Sequence, residues 1–144
     1  MDQRPIGVFD SGLGGLTAVR QLRRIMPSEN IIYFGDTSRV PYGNRSRDTI
    51  LKYAREDTRF LRTFGPKAIV IACGTVSSNC LETLQEESDI PITGVVEPAV
   101  HRAAALTKNR RVGVAATRAT VSSGAFARVL RRLAPEVEVI SLPC

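Results

Sequence analysis

Cysteine and histidine are scarce in this chain, and their scarcity removes whole classes of chemistry. There are three cysteines, Cys73, Cys80 and Cys144, and a single histidine, His101. An odd number of cysteines without paired spacing, and without a CxxC, excludes a secreted disulfide framework and a zinc ribbon. One histidine cannot build a histidine-rich metal centre or a multi-histidine relay, so no metal is expected. His101 itself falls within an expected helix and reads as a surface residue. Apolar runs are short: none approaches the roughly 20 residues of a membrane-spanning helix. Nor has the N-terminal MDQRPIGVFD the charged-then-apolar form of a signal peptide. These absences predict a cytoplasmic chain with reduced thiols and no membrane partner.

What is present is a basic chain of 144 residues, 43% hydrophobic, long enough to bury one respectable core. The formal net charge of +6 raises the question of nucleic acid. The arginines answer it. Arg20, Arg23 and Arg24, then Arg55, Arg59 and Arg62, then Arg128, Arg131 and Arg132 recur at the spacing of solvated helical faces. No aromatic residues interleave with them as stacking platforms would, so nucleic-acid binding is not expected.

Short apolar runs alternate with longer amphipathic ones. Strands are expected at 6–9, 30–35, 68–72, 92–95, 111–115 and 137–142, and helices at 16–25, 48–64, 77–87 and 125–133. A further helix opens at Glu97-Pro98, where proline is permitted in the first turn. Gly65 and Pro66 end the second helix as a glycine-then-proline stop should. The segment ATRATVSSG, 116–124, reads as a loop. Alternation of this kind predicts an α/β fold, a parallel sheet with flanking helices. The uniformly apolar AIVIA at 68–72 predicts a strand covered on both faces. Ligands of such sheets bind beyond the carboxyl ends of the strands. The polar segments DSGLGG, DTSRVPYG, CGTVSS and ATRAT all fall there.

Cys73 stands at one of those ends, between an apolar strand and a helix. Amides of the following turn and the helix dipole favour a thiolate there, whereas a buried structural cysteine is the ordinary alternative; position alone does not separate them. Cys80, seven residues on, reads as core packing. Asp10 and Ser11 end the first strand, where a carboxylate could hold an ammonium group and a hydroxyl a carboxylate; a helix-capping turn is the plainer reading. SGLGG offers backbone for anion contact but has neither a GK[ST] nor the GxGxxG spacing. Pro41, Tyr42 and Gly43 form a turn that could set an aromatic hydroxyl and amides over the pocket. Thr75, Thr117 and Thr120 add hydroxyls at two further strand ends.

Four segments together carry a resemblance: IGVFDSGLGGLTAVRQL at 6–22, YFGDTSRVPYGNRS at 33–46, IVIACGTVSS at 69–78 and GVVEPAV at 94–100. Their order and spacing are similar to those of the glutamate racemases, within the cofactor-independent aspartate/glutamate racemase group. The resemblance implies an isomerase that interconverts L- and D-glutamate without a cofactor and supplies D-glutamate for peptidoglycan, and so for cell-wall biogenesis and cell shape. It implies that Cys73 is one of two catalytic cysteines, with Asp10 beside it as substrate ligand or as a group that tunes the thiol. By the same comparison Asp10, Ser11, Pro41, Tyr42, Gly43, Gly74, Thr75 and Thr117 would bind substrate. Residues 1–97 correspond to a first racemase lobe and 98–144 to the beginning of a second, which reads as truncated.

Two departures stand out. Members of the family typically carry asparagine where this chain has Gly74. Their second cysteine lies in a GCTHYP-type motif that would fall beyond residue 144, and Cys144 does not replace it. Three readings therefore stay open: an incomplete copy of a glutamate racemase, a non-catalytic half-molecule that binds an acidic amino acid or a partner chain, and a related aspartate or hydantoin racemase. The unfinished second lobe leaves room for a homodimer.

Overall fold

The computed structural model describes residues 2–144. The elements run β1 (Ile6–Asp10), α1 (Leu16–Ile25), β2 (Ile31–Gly35), α2 (Arg47–Arg62), β3 (Ala68–Ile71), α3 (Gly74–Glu86), β4 (Ile92–Gly94), α4 (Val96–Leu106), β5 (Arg111–Ala116), α5 (Arg118–Ser123), α6 (Ala125–Leu133) and β6 (Glu138–Pro143). Every strand pair is parallel. One sheet has four strands in the order β2-β1-β3-β4, and a second has two, β5-β6. The parallel sheet expected from the alternating pattern is therefore present, in two lobes. Residues 97 and 98 fall in the first turn of α4, which joins them.

The larger lobe is organised around β1, whose five residues are all buried. It pairs with β2 on one side and β3 on the other, at the centre of the sheet, and its residues are covered on both faces. In β3 burial alternates instead: Ile69 and Ile71 are buried, and Ala68 and Val70 are half-covered. α2 packs on the sheet through Ile50, Ala54 and Leu61, a stripe at helical spacing. Ser46 caps its start by accepting the Thr49 amide. Gly65 follows its end in the left-handed region at φ 62°, a conformation other residues adopt at a cost. The core joins Phe9, Ile69, Ile71, Val76, Cys80 and Leu84. Cys80 is thus a packing residue.

The smaller lobe has its own cluster, including Val96, Val100, Leu130 and Val137. On β6, Ile140 and Leu142 are exposed. His101 lies on the outer face of α4 near Glu97. Arg55 and Arg62 pair on the surface with Glu87 and Asp89. Among the described residues no helix is long and apolar enough to cross a membrane.

Two elements depart from the sequence reading. The segment read as a loop at 116–124 contains α5. Thr117 caps it by accepting the Thr120 amide, and Gly124, at φ 64°, breaks it from α6. Its threonine, valine and serine residues are poor helix formers, so propensity does not show this short capped helix. α3 begins at Gly74, three residues earlier than expected, with Cys73 at its N-cap. The strand passes into the helix with almost no connecting loop.

Candidate active site

The carboxyl ends of β1, β2 and β3 converge, and each delivers a polar residue. β1 ends on Asp10, Ser11 follows it, and Asp36 follows β2; the Asp36 amide donates to the Asp10 carbonyl at 2.9 Å. One Asp10 carboxylate oxygen accepts the Gly15 amide at 2.9 Å, which folds the glycine-rich segment back over the strand end. That fold requires Gly15: a Cβ there would lie 2.7 Å from the Asp10 Cβ and 2.9 Å from that of Ala72. Tyr33 closes the segment from the other side, its hydroxyl donating to the Gly12 carbonyl at 2.7 Å. Burial, with the charges of Asp10 and Cys73 nearby, pushes the Tyr33 hydroxyl up to about 12, so it stays protonated as a donor.

Cys73 lies in the midst of these groups, buried, with its sulfur 3.4 Å from the Ser11 hydroxyl. Burial pushes its thiol above the ordinary value, while the Ser11 hydroxyl and the amides of Val76 and Ser11 pull the other way and the Asp10 charge adds to the rise. Helix-end amides were expected to favour a thiolate. They do favour it, but desolvation outweighs them, so the thiol is harder to ionise than an ordinary cysteine, beside three donors able to receive negative charge.

Thr75, in the first turn of α3, reaches the smaller lobe: its hydroxyl is 3.0 Å from that of Thr117, which is 3.0 Å from that of Thr120. Three further contacts tie the lobes here. The Asn79 side chain, held to the Thr75 carbonyl of its own helix at 2.8 Å, donates to the Ala119 carbonyl at 3.3 Å. The Ala119 amide donates to the Gly43 carbonyl at 3.1 Å. Gly43 meets Thr117 so closely that a Cβ would fall 2.6 Å from the Thr117 Cβ. Gly74, between Cys73 and Thr75, is the opposite case, with open space where its Cβ would be.

The fold therefore brings Asp10, Ser11, Cys73, Gly74, Thr75 and Thr117 to one rim, with Gly43 at its border. Pro41 is exposed on the same turn and joined to Val40 by a cis peptide bond. Tyr42 differs from the sequence reading. Its hydroxyl is not over the pocket: the side chain is 2% exposed, and the hydroxyl shares its one proton between Asp36 and Asp57. An aromatic ring next to two buried carboxylates gains more from that partnership than from facing solvent. The sequence reading also missed Asn79, Asp36, Arg39 and Asp57. For Asp57 a signal existed: an acidic residue sits on the inward stripe of α2, between Ala54 and Leu61.

Hollows lie elsewhere, two of them against the smaller lobe. A groove of about 660 Å³ runs between α3 and α6, lined by Ser78, Glu82, Gln85, Arg128 and Arg132 among others. An apolar hollow of about 260 Å³ lies over β5, against Val112, Phe126 and Leu130. Cys73 lines neither. Among the described residues no group of three or more histidine, cysteine or acidic side chains could hold a metal ion.

The chain is similar to known proteins in sequence and in fold. The glutamate racemase of Geobacter metallireducens is 46% identical over 144 residues, all of this chain and 53% of the relative. That of Chlorobium phaeobacteroides is 49% identical over 143 residues, 99% of this chain and 53% of the relative. The crystal structure of a glutamate racemase isoform from Bacillus anthracis superposes with a TM-score of 0.96 at 38% identity, over 100% of this chain and 54% of that one. The glutamate racemase of Francisella tularensis in complex with D-glutamate gives 0.90 at 46% identity, over the same shares. The chain spans about half the length of the curated relatives it matches. The family model described as Asp/Glu/Hydantoin racemase matches residues 16–142. Since that match takes in most of the sequence, the chain belongs to the Asp/Glu/Hydantoin racemase family.

Proposed function

We propose that this chain supplies one of the two proton-carrying faces of a glutamate racemase. The observation that supports it best is a thiol at the mouth of a parallel strand, bonded to a serine hydroxyl and flanked by Asp10, Thr75 and Thr117. Cofactor-independent racemisation removes the α-proton on one face and returns a proton on the other. Cys73 as thiol can donate; as thiolate, held by Ser11 and the strand-end amides, it can accept. The carbanion-like transition state places charge on the α-carboxylate, which hydroxyl and amide donors around the rim would stabilise. In this reading Ser11, Gly74, Thr75, Thr117 and the backbone of Pro41, Tyr42 and Gly43 hold the substrate, and Asp10 holds its ammonium group or tunes the thiol.

The residues 1–97 and 98–144 would act as first lobe and partial second lobe, with the substrate at their junction. The product, D-glutamate, serves peptidoglycan synthesis, which places the protein in the cytoplasm. A racemase of this kind needs a second proton carrier opposite Cys73. Among the cysteines of this chain, Cys80 is packed in the core and Cys144 is exposed at the end of β6, so the chain by itself binds glutamate without turning it over efficiently. Titration of the chain with D- and L-glutamate, followed by amide NMR, tests this. Shifts should centre on Ser11, Gly43, Cys73 to Thr75 and Thr117; no shift there would reject it.

A further inference from the structure

Asp57 belongs to none of the segments that carry the site, yet it is 1% exposed in the body of the larger lobe. A carboxylate buried on the apolar stripe of α2 is strongly disfavoured unless it is fully partnered. Its partners all come from elsewhere in the chain. One oxygen accepts from the Arg39 guanidinium at 2.7 Å, the other from the Tyr42 hydroxyl at 3.0 Å. Asp36, 3% exposed, takes the same two donors: Arg39 Nε at 2.5 Å and the Tyr42 hydroxyl. Arg39 also pairs with Glu56 and lies 4.5 Å over the Tyr53 ring. Two carboxylates are thus joined by one phenol and one guanidinium, and both donors sit in the segment between β2 and α2.

That segment ends in the turn which meets the smaller lobe. Tyr42 precedes Gly43, whose carbonyl accepts the Ala119 amide at 3.1 Å and whose α-carbon abuts Thr117. Packing alone would hold the Tyr42 ring in place but leave its depth and rotation adjustable. One hydroxyl proton shared between carboxylates fixed on α2 and after β2, with Arg39 bonded to both, removes that freedom. We infer that Asp57 is a positioning residue: through Tyr42 and Arg39 it fixes the Pro41–Gly43 turn against Thr117 and Ala119, and so sets how Thr117 approaches Thr75 beside Cys73. Its effect on substrate rests on the racemase reading above. Its effect on the backbone does not.

Amide hydrogen exchange by NMR on the 144-residue chain tests the inference with Asp57→Ala, Asp57→Asn and Tyr42→Phe. The Ala119 amide should exchange about tenfold faster or more in Asp57→Ala and Tyr42→Phe, while Ile69, bonded to the Pro91 carbonyl in the sheet, stays within about twofold. Asp57→Asn keeps an acceptor for the Tyr42 hydroxyl and should retain most of the protection at Ala119. The inference is overturned if Ala119 keeps wild-type protection in Tyr42→Phe, or if Ala119 and Ile69 accelerate together, since both outcomes leave Asp57 no specific hold on the turn. Should Asp57→Ala fail to fold, Tyr42→Phe decides alone. Adding D-glutamate to the wild-type chain separates the two readings. Absence of binding with the stated exchange pattern rejects the racemase reading and leaves the positioning role standing.

Discussion

The Ser11 hydroxyl stands 3.4 Å from the sulfur of Cys73, a contact between residues 62 positions apart. Two neighbouring parallel strands make it, because β1 and β3 run in register from Ile6 opposite Ala68 to Phe9 opposite Ile71. Their next residues leave the sheet together on the same edge. The serine is therefore a fixed partner of the thiol, and it is a partner that favours the charged form.

Removing that partner should make Cys73 harder to ionise. In Ser11→Ala the thiol should react with a small alkylating agent more slowly at pH 8, by about tenfold or more, since a hydrogen bond to a charged group contributes roughly 1.5–3 kcal/mol. Mass spectrometry of Cys73 labelling over time measures it. An unchanged rate would mean that the hydroxyl does not act on the sulfur.

The three glycines around the site should respond in opposite senses. At Gly74 a Cβ meets no atom within 4 Å, and alanine in place of glycine at a helical position stabilises by about 0.4–1 kcal/mol. Gly74→Ala should raise the melting temperature by a few degrees. Gly15→Ala and Gly43→Ala should lower it, because their Cβ atoms would fall 2.7 Å from Asp10 and 2.6 Å from Thr117. Thermal melts of the three variants check the ordering.

Asp57 predicts a pH dependence. Burial, with the Asp36 charge beside it, raises its carboxyl from 3.8 to about 7, against the lowering influence of the Tyr42 hydroxyl and Arg39; Glu56 adds to the rise. A raised folded-state value means that the folded chain binds a proton which the unfolded chain has released. The contribution to stability is fully present below about pH 4 and is lost as pH rises through 7. Asp57→Asn, which cannot ionise, should flatten the fall in melting temperature between pH 5 and pH 8 whatever its absolute stability. A wild-type slope in that variant would contradict the assignment.

Most of the larger lobe was legible in the sequence because its elements are long and periodic. Glycine and proline punctuate them, as at Gly65 and Pro66, and α1 falls on 16–25 as expected. The rim could be read because each motif sits at a strand end, and topology brings strand ends together without further information. What escaped depended on contacts between distant segments. The hydroxyl of Tyr42 turns inward because Asp57 awaits it 15 residues later, and no local pattern announces that. α5 is a capped helix of six residues, too short for periodicity. The state of Cys73 is a balance between desolvation and three donors, and only their geometry gives its sign.

The cysteines should separate by role. In a full-length racemase carrying these residues, Cys73→Ala should abolish racemisation in both directions. Cys80→Ala should leave it largely intact and cost about 1–2 kcal/mol of stability through a small cavity in the core. Optical rotation from each glutamate enantiomer, together with thermal melts, measures both. Equal loss of activity would show that the effect runs through folding.

The most direct test of the whole account is a crystal structure of the chain with D-glutamate bound. The substrate α-carbon should lie about 3–3.5 Å from the Cys73 sulfur, with carboxylate oxygens on the Ser11, Thr75 or Thr117 donors. Glutamate seated in the groove between α3 and α6, or anywhere that leaves Cys73 without contact to the α-carbon, would contradict it.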